Sequence, residues 1–175
     1  MKIKAVVASL LVVAALMGCN KLKHIPFDYS YHKYINVPAA PVPGTTVTIP
    51  VTVATNIDSI LEANHTNGNL LESAKLKSLN LSISDPAGTS FGVIRDIDVY
   101  VVTGSGDLAI AQKHNIDPTL NALDMDVNDV ELKPYLTAQN MTLKVTGTTA
   151  SGYTQDMTLY FNMTVHFEAN LLAAL

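Results

Sequence analysis

Strict alternation at the C-terminal end of the body constrains this chain more than any other feature. Met157, Leu159, Phe161, Met163, Val165 and Phe167 occupy one phase, and Thr158, Tyr160, Asn162, Thr164, His166 and Glu168 the other. A period of two sends successive side chains to opposite faces of a strand, so this segment predicts one long strand with a buried and a wet side. The pattern recurs. Phe27, Tyr29 and Tyr31 alternate with Asp28, Ser30 and His32, and Val47, Ile49, Val51 and Val53 with Thr46, Thr48, Pro50 and Thr52. Leu79, Leu81 and Ile83 alternate with Ser78, Asn80 and Ser82. Val93, Arg95, Ile97, Val99 and Val101 are expected to share one face, Leu123, Met125 and Val127 to face inward, and Met141, Leu143 and Val145 to lead the penultimate strand.

The breaks between these runs carry turn chemistry. Pro38, Pro41, Pro43 and Gly44 make a loop, Asp85-Pro86-Ala87-Gly88 a turn, and Thr103-Gly104-Ser105-Gly106 a hairpin into Leu108. Pro50 cannot donate to a ladder, which sends its strand to a sheet edge. Leu76 is out of phase with Leu79, so a bulge belongs near Lys77-Ser78. Thr55-Asn56-Ile57-Asp58 has capping-box form, and Ile57, Ile60 and Leu61 follow at helical spacing until Asn67-Gly68. Short strands joined by such turns predict an all-β, antiparallel two-sheet β-sandwich, immunoglobulin-like or jelly-roll-like, with one short helix. A closed barrel is the alternative. With 48% apolar and 15% charged residues in 175, the chain can bury one core, and residues 27–175 read as a single domain.

Ahead of that domain, residues 1–18 have the three parts of a secretory signal. Lys2 and Lys4 form the basic start. Ala5 to Met17, interrupted only by Ser9, is too short for the roughly 20 residues a membrane span needs. The run ends Leu16-Met17-Gly18-Cys19. This resembles the lipobox of bacterial lipoproteins, with Met17 standing where a small residue is commoner. The resemblance implies diacylglycerol on the Cys19 thiol and cleavage before it, leaving residues 19–26 as a lipidated tether. Cys19 is the only cysteine, so the body must hold together without disulfides. One acyl chain binds a membrane marginally, whereas two or three anchor stably.

Location follows from the same resemblance. Asn20 replaces the Asp that resembles an inner-membrane retention signal, which favours the outer membrane. Asn20-Lys21-Leu22-Lys23 also lacks the acidic surface-export signal of Bacteroidota lipoproteins, which favours a periplasm-facing position. Asp58-Ser59-Ile60 resembles the O-glycosylation sequon of that phylum. Lys21 and Lys23, with Lys33 further on, are candidates for contact with anionic headgroups, set against the simpler reading of a solvated tether.

Charge excludes one class of partner. Lys plus Arg number 11 against 15 acids, and loss of Lys2 and Lys4 with the signal takes the net charge from −4 to −6. An acidic body whose only arginine is Arg95 is poorly suited to nucleic acid, where cations must neutralise phosphates.

No catalytic, cofactor or metal pattern survives inspection. Asp124 to Asp129 opens like a calcium loop, but Asp129 stands where Gly is required and Tyr135 where a bidentate Glu belongs. Gly104-Ser105-Gly106 lacks the spacing of a nucleophile elbow. His24, His32, His65, His114 and His166 include no pair at zinc-site spacing. Tryptophan is absent, which argues against a sugar-stacking platform, although Tyr100, Tyr153 and Tyr160 could substitute. The apolar end Leu171-Leu172-Ala173-Ala174-Leu175 could dock on a partner or pack on its own domain.

The leading expectation is a non-catalytic envelope lipoprotein, held to the membrane through Cys19, that binds or scaffolds an envelope protein. A carrier or sensor of a lipid or other apolar ligand, lined by methionines and the helix, is a second reading. A hydrolase assembled from separate loops around His114 or His166 is a third.

Overall fold

Residues 24–170 are described by a computed structural model. The alternating segments form nine strands: β1 (His24–Val37), β2 (Thr46–Ala54), β3 (Leu71–Asp85), β4 (Ile94–Thr103), β5 (Gly106–Lys113), β6 (Ala122–Asp124), β7 (Asp126–Val127), β8 (Asn140–Thr149) and β9 (Met157–Asn170). They make two antiparallel sheets, in the orders β1-β9-β3-β6 and β2-β8-β4-β5-β7, called here the β9 sheet and the β8 sheet. The fold is therefore a two-sheet sandwich, as the alternation predicts, and not a closed barrel.

The inner phase of β9 explains the packing. Phe161, Met163, Val165 and Phe167 are fully buried and meet Leu79 and Leu81 of β3 on one side. Val99, Val101 and Leu143 close the core from the β8 sheet. Phe27 stacks on Phe167 with ring centroids 5.1 Å apart, so the edge strand β1 is also tied to the interior. Burying a side chain of this size contributes about 1.5–3 kcal/mol.

Edges and irregularities follow the residues that demand them. β2, carrying Pro50, is the edge of its sheet. A register shift falls between Leu76 and Ser78, where the phase slip of Leu76 requires it. β1 is the other long edge, and it begins at His24, earlier than the boundary at 27 drawn from the sequence. His24, Ile25 and Pro26 pair with Asn170, Ala169 and Glu168. Pro26 is tolerated there because its missing donor faces the open side of an edge strand. Lys33 is exposed despite sharing the phase of buried Tyr31 and Ile35, a charge that guards the edge against pairing with another chain.

Three local expectations are corrected. Arg95 does not join the inward face of Ile97, Val99 and Val101. A shift between Ile94 and Asp96 makes it the extra residue of a bulge, and its Nε lies 2.7 Å from Asp96 Oδ2 on the surface. Val127 does not follow Leu123 and Met125 inward. The chain passes from β6 in one sheet to β7 in the other at Met125, and Val127 ends up 38% exposed. The helix α1 (Ile57–Ala63) starts without a capping box, because Asn56 is left-handed at φ 46° and the Thr55 hydroxyl donates instead to the Ala138 carbonyl at 2.5 Å. α1 ends at Asn64, before Asn67-Gly68. A further turn, α2 (Lys133–Leu136), has no periodic signal in the sequence.

The loop between β8 and β9 joins the two sheets, and it is held at one close approach. Tyr153 N–H donates to the Ala40 carbonyl at 2.9 Å, and its hydroxyl to the Pro38 carbonyl at 2.9 Å. Beside it, a Cβ on Gly152 would lie 2.0 Å from the Pro41 carbonyl oxygen, so glycine is required there by space.

Candidate functional site

Cys19, Lys21 and Lys23, the residues assigned to the anchor, lie outside the described residues, as do Leu171 to Leu175. The first described residue, His24, already belongs to β1 and pairs with Asn170 at the end of β9. His24 Nδ1 is 2.8 Å from Glu72 Oε2, and the Asn170 amide donates to Glu72 Oε1 at 2.8 Å. This polar knot lies at the end of the sandwich where β1 begins and β9 ends.

Beyond it, the outer phase of β9 organises the exposed face of its sheet. Register sets Asp28, Ser30, His32 and Tyr34 of β1 beside His166, Thr164, Asn162 and Tyr160 of β9. On the other flank, Lys75, Ser78, Asn80 and Ser82 of β3 complete the same rows. The face is divided. Near the start of β1 it is charged: Asp28 accepts from Lys77 at 2.5 Å and lies 2.7 Å from His166 Nδ1. Hydrogen bonds from Lys77 and then from His166 hold the Asp28 carboxyl below the usual carboxylate range. Lys75 pairs with Asp129 at 2.7 Å, which pushes the ammonium upward.

Away from that end the face is aromatic, with Asp124 as its charged side chain. Ser30 and Thr164 hydroxyls meet at 2.8 Å, and the Asn80 amide donates to Asp124. His32 and Tyr160 rings lie 10° from parallel, joined by a 2.9 Å hydrogen bond between the hydroxyl and Nδ1. Tyr34 leans on Tyr160 at 5.2 Å between centroids and is 66% exposed. In the middle, Asn162 Oδ1 is covered and has no hydrogen-bond donor among the described residues. An unsatisfied buried acceptor costs about 1–3 kcal/mol and requires an explanation.

The other residues weighed from the sequence find ordinary roles. Tyr153 is buried, and Tyr100 is covered by Lys144, whose Nζ sits 4.6 Å from the ring centroid. Only Tyr160, of the three tyrosines considered, belongs to an open aromatic group; Tyr34 and His32, its neighbours, were not singled out. The acids of the failed calcium loop point apart, Asp124 to Asn80, Asp126 to Lys113 at 3.1 Å and Asp129 to Lys75. No cluster of three potential metal ligands occurs among the described residues. His114 Nε2 lies 2.9 Å from Asp98 Oδ1, which raises the imidazole pKa. Among the described residues neither His114 nor His166 has a hydroxyl or thiol hydrogen-bond partner; His166 sits on the open face of β9 and His114 in the exposed loop just after β5.

Two further features bear on the alternatives. The apolar cavity between the sheets, lined by Val37, Ile49, Ile94, Val145, Tyr153 and Leu159, measures about 20 Å³. That is close to the room one water needs. Met125, Met141, Met157 and Met163 are buried in the core and none lines this cavity. Ser59 is exposed on α1.

Compared with family models and with curated proteins, the chain matches none. Solved structures with a similar fold include the Desmodium yellow mottle tymovirus, at 15% identity over 84% of this chain and 90% of that one, TM-score 0.32. The capsid protein of BFDV, solved as a decamer, is similar at 9% identity over 84% and 99%, TM-score 0.42. A carbohydrate-binding module from the β-sandwich superfamily is similar at 12% identity over 79% and 54%, TM-score 0.35. The class, a β-sandwich domain, is defined by the two-sheet topology itself, and these likenesses carry nothing about what this one binds.

Proposed function

We propose that this protein is a lipid-tethered module of the bacterial cell envelope. It is anchored in the outer membrane through Cys19, faces the periplasm, and acts by binding or scaffolding a partner without catalysis. The observation that carries the reading is the apolar run of signal length that ends at the chain's only cysteine, immediately ahead of the folded body. Cys19 precedes His24 by about five residues, a reach of at most about 18 Å. An acylated Cys19 therefore keeps the His24–Glu72–Asn170 end of the sandwich close to the bilayer. Lys21 and Lys23 fall inside that short reach, where each can meet an anionic headgroup. Tyr34 stands about ten residues further along β1, about 34 Å from that end at ~3.4 Å per residue. No helix among the described residues is long and apolar enough to cross a membrane.

The binding reading is favoured over a carrier because the apolar cavity has no room for an acyl chain. It is favoured over a hydrolase because neither His–Asp pair has a hydroxyl or thiol hydrogen-bonded to its histidine among the described residues. Replacing Cys19→Ser tests the anchor. The variant is expected to move from the membrane to the soluble fraction, and unchanged membrane retention contradicts the reading.

A further inference from the structure

We infer that the aromatic half of the β9 sheet's outer face, built on His32, Tyr34 and Tyr160, is a binding platform for a neutral oligosaccharide. The inference rests on reading the body as a binding module and is independent of the anchor.

Three observations on this surface converge on that chemistry. The first is a planar apolar ledge. His32 and Tyr160 rings deviate by 10° and are joined by their hydrogen bond, while Tyr34, 66% exposed, flanks the ledge with its ring tilted 52° from that of Tyr160. A pyranose ring has one face of C–H groups that packs flat on such a surface, and tyrosine supplies large contact area for little lost side-chain freedom. Elsewhere, Tyr153 lies in the core, Tyr100 lies under Lys144, and Tyr29, 36% exposed, meets Tyr31 edge-on in the other phase of β1.

The second is the chemistry beside the ledge. The next row holds Asn162 and Asn80, with Asp124 beyond, and Ser82 lies in the row of Tyr160. Amides and a carboxylate in one row are suited to the paired hydroxyls of a sugar, which donate and accept from adjacent carbons. Asn162 Oδ1 has no donor, and a hydroxyl laid over this row could satisfy it once the carboxamide turns outward.

The third is charge. Lys75, Lys77, Asp28, His166 and Glu168 are gathered at the tether end of the same face and pair with one another or with Asp129. The aromatic half carries no cation in position for a phosphate or carboxylate, and its Asp124 carboxylate accepts from Asn80, so an anionic ligand is disfavoured and a neutral polyol is matched.

The test uses the full chain purified in a detergent without a sugar headgroup. Cellohexaose, xylohexaose, mannohexaose, maltoheptaose and chitohexaose are titrated by calorimetry. At least one is expected to bind, and Tyr34→Ala and Tyr160→Ala are each expected to weaken it about tenfold. Tyr100→Ala, on the opposite sheet, should leave affinity unchanged. Thermal unfolding of each variant separates lost binding from lost fold, and Tyr160→Phe, which keeps the stacking ring, gives a second route if Tyr160→Ala unfolds. Binding to none of the five, or binding that survives Tyr34→Ala undiminished, overturns the inference. Because the Cys19→Ser fractionation does not involve the ledge, failure here leaves the anchor standing, and failure there leaves the platform standing.

Discussion

On the outer face of the β8 sheet, charges and rings are matched internally. Arg95 pairs with Asp96, His114 with Asp98 and Lys113 with Asp126, while Lys144 reaches Asp107 and covers Tyr100. The outer face of the β9 sheet is matched at one end only. Its other end leaves Tyr34 open and Asn162 without a donor. Both faces are written by the same alternation, so strand-forming pressure does not account for the difference. A surface that satisfies itself needs no partner; one that holds an exposed aromatic ledge beside an orphaned acceptor has kept capacity for one.

If the faces differ in what they meet and not in what they support, the largest stability losses must come from the interior they share. Phe161→Ala empties a fully buried position on β9 and is expected to cost about 3–5 kcal/mol in denaturant unfolding. Tyr34→Ala, on the open face, should cost far less, and equal losses would erase the distinction. Gly152→Ala strikes the connection between the sheets. With 2.0 Å between a Cβ and the Pro41 oxygen, the backbone must shift, and a loss of about 1–3 kcal/mol is expected.

Asn162→Thr sharpens the comparison in the opposite sense. It replaces the orphaned carboxamide oxygen with a rotatable hydroxyl that can donate as well as accept and adds a β-branched side chain, so a gain of up to about 1 kcal/mol is expected, together with weaker oligosaccharide binding. A matching Thr146→Asn on the β8 sheet, whose outer face has its partners already, should not stabilise.

The smallest effect is electrostatic. His114 has a raised pKa in the folded state because of Asp98, so its stabilisation is complete below about 6.5 and is lost as pH rises through the folded value. Wild type should therefore lose slightly more thermal stability between about pH 6 and pH 8 than Asp98→Asn. The pair is half exposed, which keeps the difference small. Asp28, Asp96 and Asp117, whose carboxyls are held low, act in the acid range, contributing above their unfolded value of 3.8 and losing that contribution as pH falls below it.

The sandwich was legible wherever a residue type decides the matter locally. Clean phase fixed β9, Pro50 sent β2 to an edge, and the slip at Leu76 located a bulge. Arg95 and Val127 were misread because a bulge and a change of sheet both break phase without marking the sequence. Thr55 looked like a cap because a distant acceptor, the Ala138 carbonyl, is invisible to local pattern. The platform was half legible. An aromatic in the polar phase of a strand is a signal, and Tyr34 and Tyr160 both show it. That they meet depends on the pairing of β1 with β9, which places residue 34 opposite residue 160 across most of the chain.

Intact-mass spectrometry of the native protein, purified from its own membranes, tests the tether most directly. The expected product begins at Cys19 and carries a diacylglyceryl thioether with or without a third acyl chain. A chain that retains residues 1–18, or one whose Cys19 is a free thiol, would contradict the account of how this sandwich is held in place.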